Sequence, residues 1–511
     1  MIIRQIHVTP VAFRDPPLLN AAGVHEPWAL RTIVEVVTDQ GLTGLGETYG
    51  DLDHLRKVRE CAQALIGLDV HATNTMYARI SALLGAPGTG PSATRTATNP
   101  TGTRTEATGT GTTPTGTRTT TTETATTPTG TRLESTETST TPTGTRTKTT
   151  ETGAPTPGPV TEATATGAPA PRPVTKVTAT GATTPGPLTT NPKERTVDRV
   201  FSPFDVACLD IRGKAAGVPV SDLLGGRVRD AVPYSAYLFY KWAGHPDDEP
   251  DRFGAALDPA GIVEQAGLLI DEYGFESIKL KGGVYPPDEE IAAIRALHEA
   301  FPGLPLRLDP NAAWTVETSI RVGRELDGVL QYLEDPTPGI PGMSEVAAKV
   351  PMPLATNMCV VTPEHFPPAM AARAIGVLLL DHHYWGGLVR SSHIAAMCDA
   401  FGLAMSMHSN SHLGISLAAM THLAAATPNL TFASDTHTPW QNGQDVIQPG
   451  ALEFTNGAVP VPTAPGLGVD LDRDALAVMN EQYEKCGIVA RNDTSYMQRF
   501  TPTFTAGRPR W

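Results

Sequence analysis

Aromatic residues make up only 6% of this 511-residue chain, and none falls between residues 88 and 195. Thr, Gly, Pro and Ala dominate that stretch, so it cannot bury enough apolar surface to offset the entropy of an ordered backbone. Nowhere does an uninterrupted apolar run reach the length needed to span a bilayer. The N-terminal "MIIRQIHVTPVAF" also lacks a continuous apolar segment with a small-residue cleavage site, so the expectation is a soluble, cytoplasmic protein without membrane partners. Basic tracts are missing too: 39 Lys and Arg stand against 53 Asp and Glu, which argues against nucleic-acid binding. The five cysteines (Cys61, Cys208, Cys359, Cys398 and Cys486) are scattered, with no C-x-x-C spacing. That argues against both a disulfide framework and a zinc cluster, and the expectation is reduced, small core residues.

The aromatic-free stretch is a tandem repeat. "NPTGTRT" at Asn99 recurs as "TPTGTRT" at Thr113, "TPTGTRL" at Thr127 and "TPTGTRT" at Thr141, a period of 14 residues. A second variant continues it from Thr152, Thr166 and Thr180. With Gly and Pro in each copy, the period matches no helical or strand-bearing solenoid and reads as a disordered insertion.

Beyond residue 195, strand-like apolar runs alternate with helical patterns. "VPYSAYLF" from Val232 is followed by "ESIKLK" ending at Lys281, "LPLRLD" at Asp309, "VLQYLE" at Glu334, "PLATN" at Asn357, "VLLLD" at Asp381, "LAMSMH" at His408 and "TFASD" at Asp435. From Lys281 to His408 these ends lie 28, 25, 23, 24 and 27 residues apart, about one βα unit each. Eight such strands read as a closed parallel barrel or as a doubly wound sheet. The polar residues favour the barrel. Parallel strands are covered on both faces, so an ionisable residue in last position belongs at the C-terminal mouth. Singly, each has a blander role: Asp309 before Pro310 or Glu334 in "LEDP" as turn residues, Asp381 as a loop cap, His408 as a satisfied core histidine. Six in succession are better explained as one functional ring.

Oxygens from Asp309, Glu334 and Asn357 suit a hard cation such as Mg²⁺. Lys279 and Lys281, two apart on one strand, project to one face, and their mutual repulsion is expected to lower an ammonium pKa toward general-base duty. Across the mouth, Asp381 is placed to orient His408. A metal flanked by a lysine and a histidine fits abstraction of a proton next to a carboxylate.

With "KLKGG", "LDPNAAW", "LEDP", "ATNM", "LLLDHHYW", "MHSNSH" and "DTH" in place, the chain resembles the enolase superfamily, and within it the glucarate dehydratase branch. A lysine or histidine base with Mg²⁺ is the general pattern of such sites. Asn357 is the most specific marker, since many other branches carry a carboxylate there. The resemblance implies a modified (β/α)7β TIM barrel with an α+β capping domain, Mg²⁺ as cofactor, an acid-sugar substrate and a homo-oligomer. Residue by residue, it implies Lys281 as base on one face, with Lys279 beside it at the substrate carboxylate. His408 with Asp381 becomes base on the other face and acid for the leaving hydroxide. His25, Tyr237, Asn311, Asn357, Ser409, Asn410, His437 and Arg491 become substrate contacts, and Asp309, Glu334 and Asn357 the metal ligands. The implied reaction is loss of water from a six-carbon aldarate, D-glucarate or an epimer.

Two departures stand out. The substrate-contacting loop of the capping domain is not recognisable near the repeat. The loop after "EDP", "TPGIPGM", holds no acidic residue before Glu345, which makes Glu334 the second metal ligand. A dehydratase or epimerase for another aldarate or aldonate, or a catalytically impaired relative kept for binding, are the competing readings. The expected domains are 1–87 and 196–230 for the cap, 88–195 for the insertion, 231–455 for the barrel, and 456–511 as a segment packing back on the cap.

Overall fold

The three-dimensional structure is a computed structural model, and it describes residues 1–85, 195–246 and 248–511. Apart from Arg195, the repeat and the expectations attached to it lie outside the described residues.

The strand Ile3–Arg14 pairs antiparallel with Trp28–Thr38, and that strand pairs antiparallel with Thr43–Tyr49. Trp28–Thr38 is central and buried along nearly its whole length, as its run of Ile, Val and Leu requires. Val34 and Val36 join Val58, Met76, Phe201 and Phe204 in one apolar cluster, which packs the helices Leu52–Leu65, Thr73–Leu84 and Thr196–Ala216 on the sheet. Gly44 and Gly46 of "TGLGETY" allow the last helix its close approach. A Cβ at either would lie 2.0 Å from a backbone oxygen, of Ala207 and of Pro203 respectively. On the same strand, Leu45 turns toward the larger core shared with the barrel.

Seven parallel strands follow in strict sequence order: Ala236–Phe239, Ile278–Lys281, Leu306–Asp309, Leu330–Glu334, Leu354–Thr356, Val377–Leu380 and Ala404–Met407. Residues 430–435 close the ring without forming a regular strand. Phe432 and Asp435 donate backbone hydrogen bonds to Met405 and Met407 at 3.1 and 2.8 Å. On the other side of the seam, the backbone N of Ser434 donates to Pro233 O and that of Ser235 donates to Ser434 O, both at 2.9 Å. The barrel expected from the polar strand ends is therefore present, with an eighth stave that is irregular because it makes only these isolated bridges.

Helix ends follow local chemistry. Pro259–Tyr273 starts at Asp258, whose carboxylate accepts from Gly261 N, and stops at left-handed Gly274. Pro287–Ala300 opens with Pro287, Asp288, Glu289 and Glu290. Gly414–Ala426 carries no Asp, Glu, Lys or Arg and is buried nearly all round, because it sits between the barrel and the antiparallel sheet. After the barrel, helix Arg473–Lys485 returns to the sheet: Arg473 pairs with Glu35, and Asn480 Nδ2 donates to Pro10 O at 2.7 Å. Among the described residues, no helix is long and apolar enough to cross a membrane.

Candidate active site

Strand register puts the polar residues level with one another. Lys281 pairs with Asp309 across two strands, and Tyr237 with Lys279. Above the strand ends lies a cavity of about 540 Å³. Of the residues expected to face substrate, His25, Tyr237, Lys281, Asn311, Asn357, His408, Ser409, Asn410, His437 and Arg491 line it. Asp309, Glu334 and Asp381 sit just beneath, buried at the ends of their strands.

Lys279 departs from its expected place. It is fully buried, outside the cavity lining, with Nζ 2.6 Å from both Glu334 Oε2 and Asp435 Oδ2 and 4.9 Å from the Tyr237 ring centre. Its ammonium is engaged by buried carboxylates and does not line the cavity. Repulsion between the two lysines does not control Lys281 either. Burial works most strongly against the Lys281 charge, but Asp309, 2.5 Å away, together with weaker pulls from Tyr237 and Glu334, outweighs burial and Lys279 and pushes the ammonium pKa above its ordinary value.

Asp309 Oδ1 accepts from the backbone N of Asn311 at 2.9 Å, and the "DPNA" turn places Asn311 and Ala312 in the left-handed region. Glu334 Oε1 is buried with no hydrogen-bond donor, although the residue lies among acidic neighbours. Such an oxygen calls for a cation. With Asp309 and the cavity-lining amide of Asn357 on flanking strands, the donors are hard oxygens suited to Mg²⁺. Asp335 stands behind them: its carboxylate accepts from Asn357 N at 2.8 Å and from Thr356 Oγ1 at 2.5 Å, fixing the loop that carries Asn357.

On the far side, His408 Nδ1 lies 3.0 Å from Asp381 Oδ2. The other oxygen, Oδ1, accepts from His383 N at 2.9 Å and meets His383 Nδ1 at 2.8 Å. Burial opposes the Asp381 charge, yet the two imidazoles hold its carboxyl well below the usual range. The His408 ring stacks on Tyr384 at 5.9 Å, which in turn stacks on Tyr49 at 6.0 Å. His437 is buried against Tyr237, with Nδ1 3.0 Å from Ser409 Oγ, and burial drives its pKa far below that of a free histidine. Arg491 reaches the cavity already paired, to Asp15 at 3.0 Å and to Asp493 at 2.7 Å.

Several lining residues were not anticipated: Arg31 and Tyr49 from the antiparallel sheet, Arg195 and Arg199 from the helix that begins at Thr196 and its cap, and Tyr384. The Arg199 guanidinium lies 4.1 Å above the Tyr49 ring. "DHHYW" was noted for its aspartate, and its second histidine and tyrosine were available in the same motif. Nothing local in "LRTIVEVV" distinguishes Arg31 from a surface arginine.

A parallel barrel with a lysine, a histidine–aspartate pair and an oxygen-rich strand-end cluster under a capping sheet defines a class, and the chain belongs to the enolase superfamily. The family model described as "Enolase C-terminal domain-like" matches residues 261–475. A protein of Streptomyces coelicolor named probable glucarate dehydratase is 43% identical over 521 residues, covering 100% of this chain and 99% of that one. An enolase from Thermobispora bispora, crystallised with magnesium and formate, is 58% identical with a TM-score of 0.79, each chain covered in full. An enolase from Mycobacterium smegmatis, crystallised with tartrate, is 50% identical with a TM-score of 0.78, covering 100% of this chain and 98% of that one.

Proposed function

We propose that the protein is a Mg²⁺-dependent hydro-lyase that removes water from an acid sugar, with D-glucarate as substrate and 5-dehydro-4-deoxy-D-glucarate as product. The observation that carries this reading is the pairing of functions around one cavity: Lys281 on one side, the Asp381–His408 pair on the other, and an electron-rich oxygen cluster at the base. Asp309, Glu334 and Asn357 would hold the metal, which when bound supplies positive charge beside a substrate carboxylate as negative charge develops there.

As a metal ligand Asp309 would relax its hold on the Lys281 proton. Lys281, once neutral, removes the proton on the carbon next to that carboxylate, and the electron pair left behind forms the new C–C double bond as the neighbouring hydroxyl departs. His408, its Nδ1 engaged by Asp381, has Nε2 for proton exchange in the cavity. A proton delivered from there to the departing hydroxyl releases water rather than hydroxide. The resulting enol then takes up a proton on carbon and releases its hydroxyl proton, giving an α-keto acid. His25, Asn410 and His437 offer polar groups around the remaining hydroxyls. The relative named as a glucarate dehydratase, and the neighbour crystallised with tartrate, a hydroxy-dicarboxylate, support this substrate class.

The test incubates the full chain and Mg²⁺ with D-glucarate, galactarate and several aldonates, following α-keto acid by a carbonyl reagent. Preferred turnover of D-glucarate is expected. If galactarate or an aldonate is preferred, the substrate assignment fails; if none reacts, the hydro-lyase assignment fails with it.

A further inference from the structure

Asp381 has two imidazole partners, and only one of them faces the cavity. His408 lines it; His383 does not, and is 3% exposed. The buried ring is held on every side. Nδ1 points to Asp381 Oδ1 at 2.8 Å, while Nε2 is 3.0 Å from Arg31 Nη2 and 3.0 Å from Ser416 Oγ. Arg31 is itself fixed, with Nε donating to Glu47 Oε1 at 2.7 Å. Glu47 also accepts from the backbone of Leu413 at 2.8 Å and Ser416 at 2.9 Å, at the start of helix Gly414–Ala426. The rings of His382 and Tyr49 also pack against His383, at 4.0 and 5.6 Å between centres.

A guanidinium has donors only, so where Arg31 meets Nε2 that nitrogen must offer its lone pair. The ring proton then resides on Nδ1 and points at Asp381. We propose that Arg31 and His383 are positioning residues for His408: Arg31 fixes His383 in its Nδ1–H tautomer, and His383 thereby holds the Asp381 carboxylate in the orientation that aims His408 into the cavity. This deepens the reading of the Asp381–His408 pair given above and rests on it. Arg31 belongs to the Trp28–Thr38 strand and Glu47 to the adjoining Thr43–Tyr49 strand, so the antiparallel sheet supplies this support. Arg31 loses its partner if the sheet and the barrel shift against each other, which ties alignment of His408 to seating of the sheet.

A spectroscopic experiment tests the assignment without requiring turnover. The full chain, loaded with Mg²⁺ and carrying ¹⁵N-histidine, is studied by long-range ¹H–¹⁵N correlation, with the His383→Asn variant identifying the His383 signals among the 14 histidines. An unprotonated Nε2 and protonated Nδ1 are expected, and a protonated Nε2 on His383 overturns the proposal. The kinetic arm compares Arg31→Met, His383→Leu and His383→Asn. Loss of outer support of this kind is expected to lower kcat roughly 10- to 100-fold, with KM changed far less, in Arg31→Met and His383→Leu. His383→Asn, whose amide can still donate to Asp381, is expected to recover most of the rate. Unchanged kcat in Arg31→Met, or equal losses in the Leu and Asn variants, would overturn the positioning role. If the wild-type chain dehydrates none of the acid sugars, the hydro-lyase reading falls, and the tautomer measurement still decides this one.

Discussion

Lys281 and His408 meet the same cavity with different escorts. Asp309 favours the charged form of Lys281, whereas Asp381 engages His408 through one nitrogen and leaves the other for proton exchange. If each moves a proton in turnover, Lys281→Ala and His408→Ala lower kcat by roughly a thousandfold, the scale of a lost positioned acid or base. Steady-state kinetics with the best acid sugar checks this, and near-normal kcat in either variant removes that residue from the reaction. At this scale the sequence was informative wherever a polar residue ended an apolar strand, because burial there is costly without a purpose: Asp309, Glu334, Asp381 and His408 were all readable. The burial of Lys279 was not. Its partner Asp435 lies 156 residues away in the chain, and only closure of the barrel brings the two together.

Elements that lean on each other closely make the next set of expectations. Gly46 lets the Thr43–Tyr49 strand touch helix Thr196–Ala216, and a methyl group placed there meets the Pro203 carbonyl at 2.0 Å. Gly46→Ala is therefore destabilising by about 1–3 kcal/mol, the usual cost of overpacking, measurable as a lower urea midpoint. A buried histidine joins two other elements: Ser221 N donates to His422 Nδ1 at 3.3 Å, and His422 Nε2 meets Leu467 O at 3.1 Å. Burial lowers the His422 pKa to about 4, against the weaker opposing pull of Leu467 O. Because the folded pKa is depressed, its stabilising contribution is complete above about 6.5 and is lost as pH falls from there to about 4. The stability gap between wild type and His422→Gln should accordingly narrow by on the order of 3 kcal/mol between pH 7 and pH 4, in parallel denaturant titrations. Helix and strand periodicity disclosed these elements, but not which of them touch. "GLTGLGETYG" marks a turn and a strand in the sequence, and only the helix laid against it explains both glycines.

For the molecule as a whole, if Asp309, Glu334 and Asn357 hold Mg²⁺ as proposed, folding and metal affinity become one equilibrium. Mg²⁺ at a hundredfold excess over its Kd should stabilise the fold by about 2.7 kcal/mol, seen as a rise in Tm, and Glu334→Gln should abolish most of that rise. No change in the wild-type Tm over a wide range of Mg²⁺ would contradict the ligand set. Barrel architecture was legible because each βα unit announces its own strand end. The upper wall of the cavity was not, since Arg31, Tyr49 and Arg199 reach it only once sheet, helix and barrel have assembled. The irregular eighth stave bears on how that assembly proceeds. Residues 430–435 hydrogen-bond at once to the start of the first barrel strand and to the last, roughly 200 positions back and roughly 25 back in the chain. On a ribosome the first seven staves can emerge and pair in order, each beside its predecessor, yet the sheet retains two open edges until this segment is synthesised. Barrel closure is thus a late, non-local event, and a chain truncated before residue 430 would leave two strand edges exposed to mispairing and aggregation.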